Sequence, residues 1–311
     1  MRATQTTTYR SLQAFLDRTS DKLQTLQLQA ATGKKLNRPS DDPTAISPVL
    51  SARTQIQKSD RYIETIEAGL DRIDGMDGYL DSIESTLIRT HEITVAVGNG
   101  TLNANDLLTY ADEIAHLRDT LQDDANAQID GKYLFAGFSE KTKPFTANPN
   151  YPTTESNPLT YNGDNGLIEF EISPNELVNV NLTGNAVFLG DADGDGATDP
   201  GAVDIFAVLT TIEEALRAND PATANAQLAD VETAENQVRS HRSLKGNLGR
   251  RLETAREHME QIRVDMEEYR ARFEDADILE TISELQQQEQ SFEAALNVTG
   301  RVSELSILDY I

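Results

Sequence analysis

The residues best placed to do chemistry in this chain form a short acidic run, Asp191-Ala192-Asp193-Gly194-Asp195-Gly196-Ala197-Thr198-Asp199. Carboxylates at loop positions 1, 3 and 5, followed by glycine at 6, reproduce the first half of a calcium-binding loop. Position 7 would supply the Ala197 carbonyl, and Asp199 falls at position 9. The closing bidentate Glu is missing: position 12 is Ala202, and Asp204 lies too far along. An acidic, Gly-rich surface turn explains the same residues, so both readings stand. The sequence calls for no cofactor, and Ca2+ is the one ion for which it offers a ligand set.

Other chemistry is sparse. Glu113 and His116 make one Glu-x-x-His, but a di-metal bundle needs two such pairs and further carboxylates. His91, His241 and His258 are scattered. There is no His-Glu-x-x-His, Gly-x-Ser-x-Gly or phosphate-cradling Gly-rich loop. Asp41-Asp42 reads more simply as helix capping than as paired catalytic acids. No catalytic set emerges, and the chain reads as a non-enzyme.

Composition points the same way. Hydrophobic content of 38% and aromatic content of 6%, without Trp, suit elongated helices that bury stripes better than one globular core. A formal net charge of -25 argues against nucleic acid or an anionic membrane surface as partner. Cysteine is absent, which excludes disulfides and thiol catalysis. No apolar run reaches the roughly 18 residues of a membrane span. The stretch MRATQTTTYR lacks the apolar core of a cleaved secretory signal, so departure from the cell would need another route.

Two helical stripes organise the ends. Leu12, Leu16, Thr19, Leu23, Leu26 and Ala30 step alternately by four and three. Ile278, Ile282, Leu285, Phe292, Leu296 and, more weakly, Thr299 do the same, with Glu289 in the vacant slot. Both are heptad seams, so the termini are expected to pair as a coiled coil. Between them, Gly33 ends the first helix, and Asp42 caps the next with Pro43 at its first position. Pro48 removes a hydrogen bond in the second turn and moves the expected start of regular helix toward Ser47. That helix runs to about Val97, softened by Gly69, Gly75 and Gly78. Another runs from Leu107 to about Asn126. Strand texture follows, with turns at Asp130-Gly131, Asn162-Gly163 and Pro174-Asn175. Helical pattern returns at Val203, and Leu244, Leu248, Leu252, Ala255, Met259, Ile262, Met266, Tyr269 and Phe273 form a long stripe.

The expected fold is mainly α, an elongated multi-domain rod. Residues 1–42 with 274–311 form a terminal coiled-coil assembly domain. Residues 43–137 with 201–273 form a helical bundle, and 138–200 a separate β-rich surface domain. Lys34-Lys35 and Arg250-Arg251 stand out in so acidic a chain, either as solvated charges or as contacts to other subunits.

Certain stretches resemble a known family. Ala31-Thr32-Gly33-Lys34-Lys35-Leu36-Asn37-Arg38-Pro39-Ser40-Asp41-Asp42-Pro43 is similar to the N-terminal segment of bacterial flagellins and their relatives. Leu248-Gly249-Arg250-Arg251-Leu252-Glu253 and Asp277-Ile278-Leu279-Glu280-Thr281-Ile282 resemble their C-terminal segments. Gly131-Lys132-Tyr133-Leu134-Phe135-Ala136-Gly137 and the ending Leu305-Ser306-Ile307-Leu308-Asp309-Tyr310-Ile311 look like the branch that joins hook to filament. The resemblance implies an extracellular flagellar subunit, exported without cleavage and assembled with itself in a helix or ring. Its implied partners are the preceding hook-associated protein, filament flagellin and an export chaperone bound to the C-terminal region. Leu12, Leu16, Leu23, Leu26, Ile278, Ile282, Leu285, Phe292 and Leu296 are the expected assembly interface. Pro48 and the acidic loop depart from the family pattern. Filament flagellin, or a secreted calcium-binding adhesive protein on a helical stalk, are the competing expectations.

Overall fold

A computed structural model describes residues 2–99, 102–152 and 158–308. Seven α-helices carry most of this: α1 (Arg2–Thr32), α2 (Pro43–Gly98), α3 (Ala104–Ala125), α4 (Ile205–Arg217), α5 (Pro221–Ala226), α6 (Leu228–Glu274) and α7 (Ile278–Leu308). Between α3 and α4 lie three small antiparallel hairpins and one π-helical turn, Asn185–Leu189. The mainly α architecture with a strand-bearing insert follows the sequence pattern.

Helix ends are set by capping groups. Gly33, at φ 70°, closes α1 through its amide to the Gln29 carbonyl at 2.8 Å. Asp42 Oδ1 accepts from the Thr44 amide at 2.9 Å, with Pro43 at the first helical position. The helix therefore starts at Pro43 and not near Ser47; it runs through Pro48 without a break. Pro48 lies so near the N-terminus that only the bond to one early carbonyl is forgone. Asn103 and Asp106 form a reciprocal capping box on α3. Asp277 Oδ1 caps α7 through the Leu279 and Glu280 amides at 2.9 and 3.2 Å. α2 runs through Gly75 as one helix. A Cβ there would sit 2.2 Å from Ile129 Cδ1, so the glycine makes room for a hairpin residue.

The chain divides into two compact units, Met1–Asp60 with Glu260–Ile311, and Arg61–Met259. In the second unit, β1 (Gln128–Ile129) and β2 (Lys132–Tyr133) turn at Asp130-Gly131, both at positive φ. That is the backbone of a tight I′ hairpin. β3 (Phe145–Ala147) pairs with β4 (Leu159–Tyr161), and β5 (Glu169–Ser173) with β6 (Glu176–Asn179) around Pro174-Asn175.

Among the described residues, 138–200 share their aromatic core with the helices. Phe145 and Phe188 meet at a centroid distance of 5.3 Å, and each also packs on Phe206 of α4. Phe135 adds an edge contact to Phe188 at 5.2 Å. Leu80, Ile83, Leu87, Ile114 and Leu209 belong to the same continuous buried cluster. Strand texture and turns set these residues apart from the helical flanks in the sequence. Those local signals do not report where the aromatic side chains of the insert pack.

Candidate assembly interface

In the first unit, α1 and α7 run antiparallel. Lys22 faces Glu284 at 3.5 Å, Gln288 Nε2 donates to the Thr19 carbonyl at 3.3 Å, and the Ala276 amide donates to the Gly33 carbonyl. On α1 the covered side is Leu12, Leu16, Thr19, Leu23, Leu26 and Ala30, with Thr19 and Leu26 fully buried. The sequence stripe and the packed stripe coincide.

On α7 they do not. The side turned from solvent is Thr281, Leu285, Gln288, Phe292, Ala295 and Thr299, again in steps of four and three. Of the expected stripe, Leu285, Phe292 and the weaker Thr299 belong to it. Ile278, Ile282 and Leu296 remain 42%, 42% and 49% exposed. The physical reason is that α7 carries more apolar surface than one narrow seam uses. Small and slender residues, Thr281 and Ala295, sit deepest against α1, and the bulky ones form an adjoining edge. Thr299 and the intervening Ala295 were the signal available for this register.

The corner joining both pairs of helices is held by Glu274, whose side chain is 2% exposed. Its Oε1 accepts from Lys34 Nζ and from Arg53 Nη2, the latter at 2.7 Å. Its backbone carbonyl takes the Lys35 amide at 2.9 Å, and Lys35 Nζ reaches the Arg272 carbonyl at the same distance. Burial opposes ionisation of this carboxyl, but its bonds to Lys34 and Arg53 outweigh that and hold its pKa below the usual range. Lys34 and Lys35 thus serve contacts within the chain. In the second unit Arg251 likewise pairs with Glu176 at 2.6 Å.

A second polar anchor was not legible in the sequence. The long stripe placed Leu244 inward, yet Leu244 is 60% exposed and its neighbour Lys245 is buried. Lys245 Nζ donates to the carbonyls of Asn179 at 3.0 Å and Asn181 at 2.7 Å. Burial pushes its pKa down to about 8.

The acidic loop folds on its own amides. Asp191 accepts from Gly194 at 2.7 Å and from Gly196 at 3.1 Å, and Asp199 accepts from Ala192 at 2.8 Å. Asp191, Asp193 and Asp195 each offer a carboxylate oxygen within 4.8 Å of the others. Asp199 is tied into the loop closure, and Ala202 contributes no closing carboxylate. A cation there would have three carboxylates, one of them already bonded twice to amides. The histidines do not gather. His116 and His258 are exposed, Glu113 instead pairs with Arg89 at 2.7 Å, and His241 contacts the Ala186 carbonyl at 3.1 Å.

The comparison that decides the family concerns the same ends of the chain. Residues 4–140 match the bacterial flagellin N-terminal helical region, and 228–311 the bacterial flagellin C-terminal helical region, together more than two thirds of the sequence. The chain belongs to the flagellin family. Its matched flagellin regions contain both terminal helices and the Glu274 corner; the acidic loop lies outside them. The flagellar hook-associated protein 3 of Escherichia coli K12 is 27% identical over 223 residues, 71% of this chain and 67% of that protein. The flagellin of Bacillus subtilis 168 is 27% identical over 262 residues, 82% of this chain and 80% of that one. In fold, the chain is similar to the flagellar junction protein FlgL from Legionella pneumophila, with a TM-score of 0.59 at 19% identity. That match covers 75% of this chain and all of the other. Residues 309–311, the end of the junction-like C-terminal motif, lie outside the described residues.

Proposed function

We infer that this protein is a non-enzymatic structural subunit of the bacterial flagellum, placed where hook meets filament. One observation carries the reading. The two ends that match flagellin pair with each other, yet leave Ile278, Ile282 and Leu296 uncovered on α7. A terminal helix pair with an unfilled apolar edge suits a chain that completes its burial in an assembly. The likeness to a hook-associated protein 3 favours the junction over the filament.

The subunit would leave the cell through the flagellar export route with its N-terminal segment uncleaved, a chaperone holding the C-terminal region beforehand. Its neighbours would be its own copies, the preceding hook-associated protein and filament flagellin. No cofactor enters this role; the acidic loop would take calcium only weakly, for want of a closing ligand. No helix among the described residues is long and apolar enough to cross a membrane.

Deletion of the gene tests the reading. Hooks should persist without filaments, and filament subunits should accumulate in the medium. The length of the match to a filament flagellin supports a second reading, in which deletion removes the filament subunit itself and none reaches the medium. Normal filaments in the deletion strain would contradict both.

A further inference from the structure

We propose that Arg72 and Lys245 bind a small monovalent anion of halide size, which rivets α2, α6 and the β5–β6 hairpin together. All of these residues belong to the second compact unit, so the site is independent of how subunits join.

The three elements converge around Val180, the residue after β6. On α2, a Cβ at Gly69 would come within 3.3 Å of Leu252 on α6, 3.4 Å of Phe170 on β5 and 3.5 Å of Val180. Arg72 follows one turn later. From α6, Lys245 Nζ donates to the carbonyls on either side of Val180, those of Asn179 and Asn181. Two cationic side chains are thereby brought to one interior site, close enough that Arg72 adds to burial in opposing the charge of Lys245.

Their charges are not balanced. The Arg72 side chain is 15% exposed and Lys245 is 7% exposed. Arg72 Nη1 meets Glu140 Oε1 at 2.7 Å, and Lys132 takes the other oxygen of Glu140 at 2.9 Å. Lys132 is more than half in solvent and needs no buried counter-ion. Asp71, Asp74, Glu169 and Glu171 on the neighbouring elements are exposed, while Asp77 and Glu176 are paired with Arg242 and Arg251. Two interior cations therefore share one interior carboxylate, in a chain whose net charge is -25. A buried charge without a counter-ion is strongly destabilising.

The unused donors define the chemistry of the ligand. Nε and Nη2 of Arg72 are buried and meet no acceptor among the described residues. Lys245 spends two of its three N–H groups on the two carbonyls. Buried donors left without an acceptor are costly. Water would satisfy the donors and leave the charge; a divalent anion would over-compensate the charge. One monovalent anion satisfies both.

Thermal unfolding of the purified chain tests it, with chloride exchanged for bulky gluconate at constant ionic strength. Raising chloride from about 5 to about 500 mM should lift the melting temperature by about 3 °C. Arg72→Gln and Lys245→Met should each abolish the rise. Lys141→Met, which alters an exposed lysine elsewhere in the unit, should keep it. No rise in the unaltered chain, or a rise that survives in Arg72→Gln and Lys245→Met, would overturn the proposal. If either variant fails to fold, crystals of the unaltered chain grown in bromide give a second readout. Anomalous signal is expected between Arg72 and Lys245. An ordered water at that place, without anomalous signal, would equally overturn the anion site.

Discussion

Arg53 and Glu274 are 221 residues apart in the chain and meet across 2.7 Å, with the carboxylate almost wholly out of solvent. Lys34 shares the same oxygen, so the first and last helical corners of one compact unit are fastened at a single side chain. The seam of α1 and α7 includes Thr19, Thr281 and Gln288, and the bond from Gln288 to the Thr19 carbonyl together with the Glu274 clamp holds its register.

Glu274→Ala should destabilise the unit by about 1–3 kcal/mol. This is below the usual cost of breaking a buried ion pair, because Lys34 and Arg53 are about half exposed and can rehydrate. The dependence on pH follows from the depressed folded pKa. Stability from this group is present above the ordinary carboxyl value of 4.5 and lost as pH falls through the lower folded value. Urea unfolding of both chains between pH 3 and 7 should show the difference shrinking on the acid side. An unchanged difference would remove the clamp from the account.

Lys245 predicts the reverse limb. Its folded pKa of about 8 lies below the ordinary 10.5, so its contribution is fully present above 10.5 and lost as pH falls through 8. Compared with Lys245→Met, the unaltered chain should gain stability between pH 8 and 10. At neutral pH, where that contribution is already lost, the two chains should differ least, and the gap should open as pH rises. Parallel pH profiles for the two chains would argue that Lys245 is hydrated in solution.

Phe145→Ala should cost about 3–5 kcal/mol. Phe145 joins a strand of the insert to Phe188 and to Phe206 of α4. Protease digestion of the variant should therefore open the insert and the adjoining helices together. Release of an insert with intact helices would restore the view of an independent domain.

How much was legible in the sequence varies with the range of the interaction. The α1 stripe from Leu12 to Ala30 was readable because a helix face is a local property. So were the Asp42 helix start and the Asp130-Gly131 and Pro174-Asn175 turns. The register of α7 was not, because its choice between Thr281 and Ile282 depends on how closely α1 approaches. Lys245 was hidden for a similar reason: only the carbonyls of a distant strand make it a better inward residue than Leu244. The shared aromatic core and the Glu274 clamp are long-range contacts that no window of sequence contains. The acidic loop was readable in type and spacing, and its amide bonding shows how an incomplete ligand set can be occupied from within.

Calcium should bind that loop weakly. Adding about 1 mM calcium should leave the melting temperature of the purified chain unchanged, since three carboxylates without a bidentate closing residue make a poor site. A rise of several degrees, abolished by Asp193→Asn, would show that the loop is a functional cation site.

Amide exchange on the purified monomer addresses the terminal pair. The narrow, partly polar seam of α1 and α7 gives little burial, and single helices of that length are marginal in water. Amides in both helices should exchange faster than those of Leu80–Leu87 and Phe206–Leu209. Equal protection would mean that the termini are already set before assembly.

The central claim is the place of this subunit in the flagellum, and immunogold electron microscopy with antibody against residues 138–200 tests it most directly. The account predicts label in one short zone where hook meets filament. Label along the whole filament, or none on flagella at all, would contradict it.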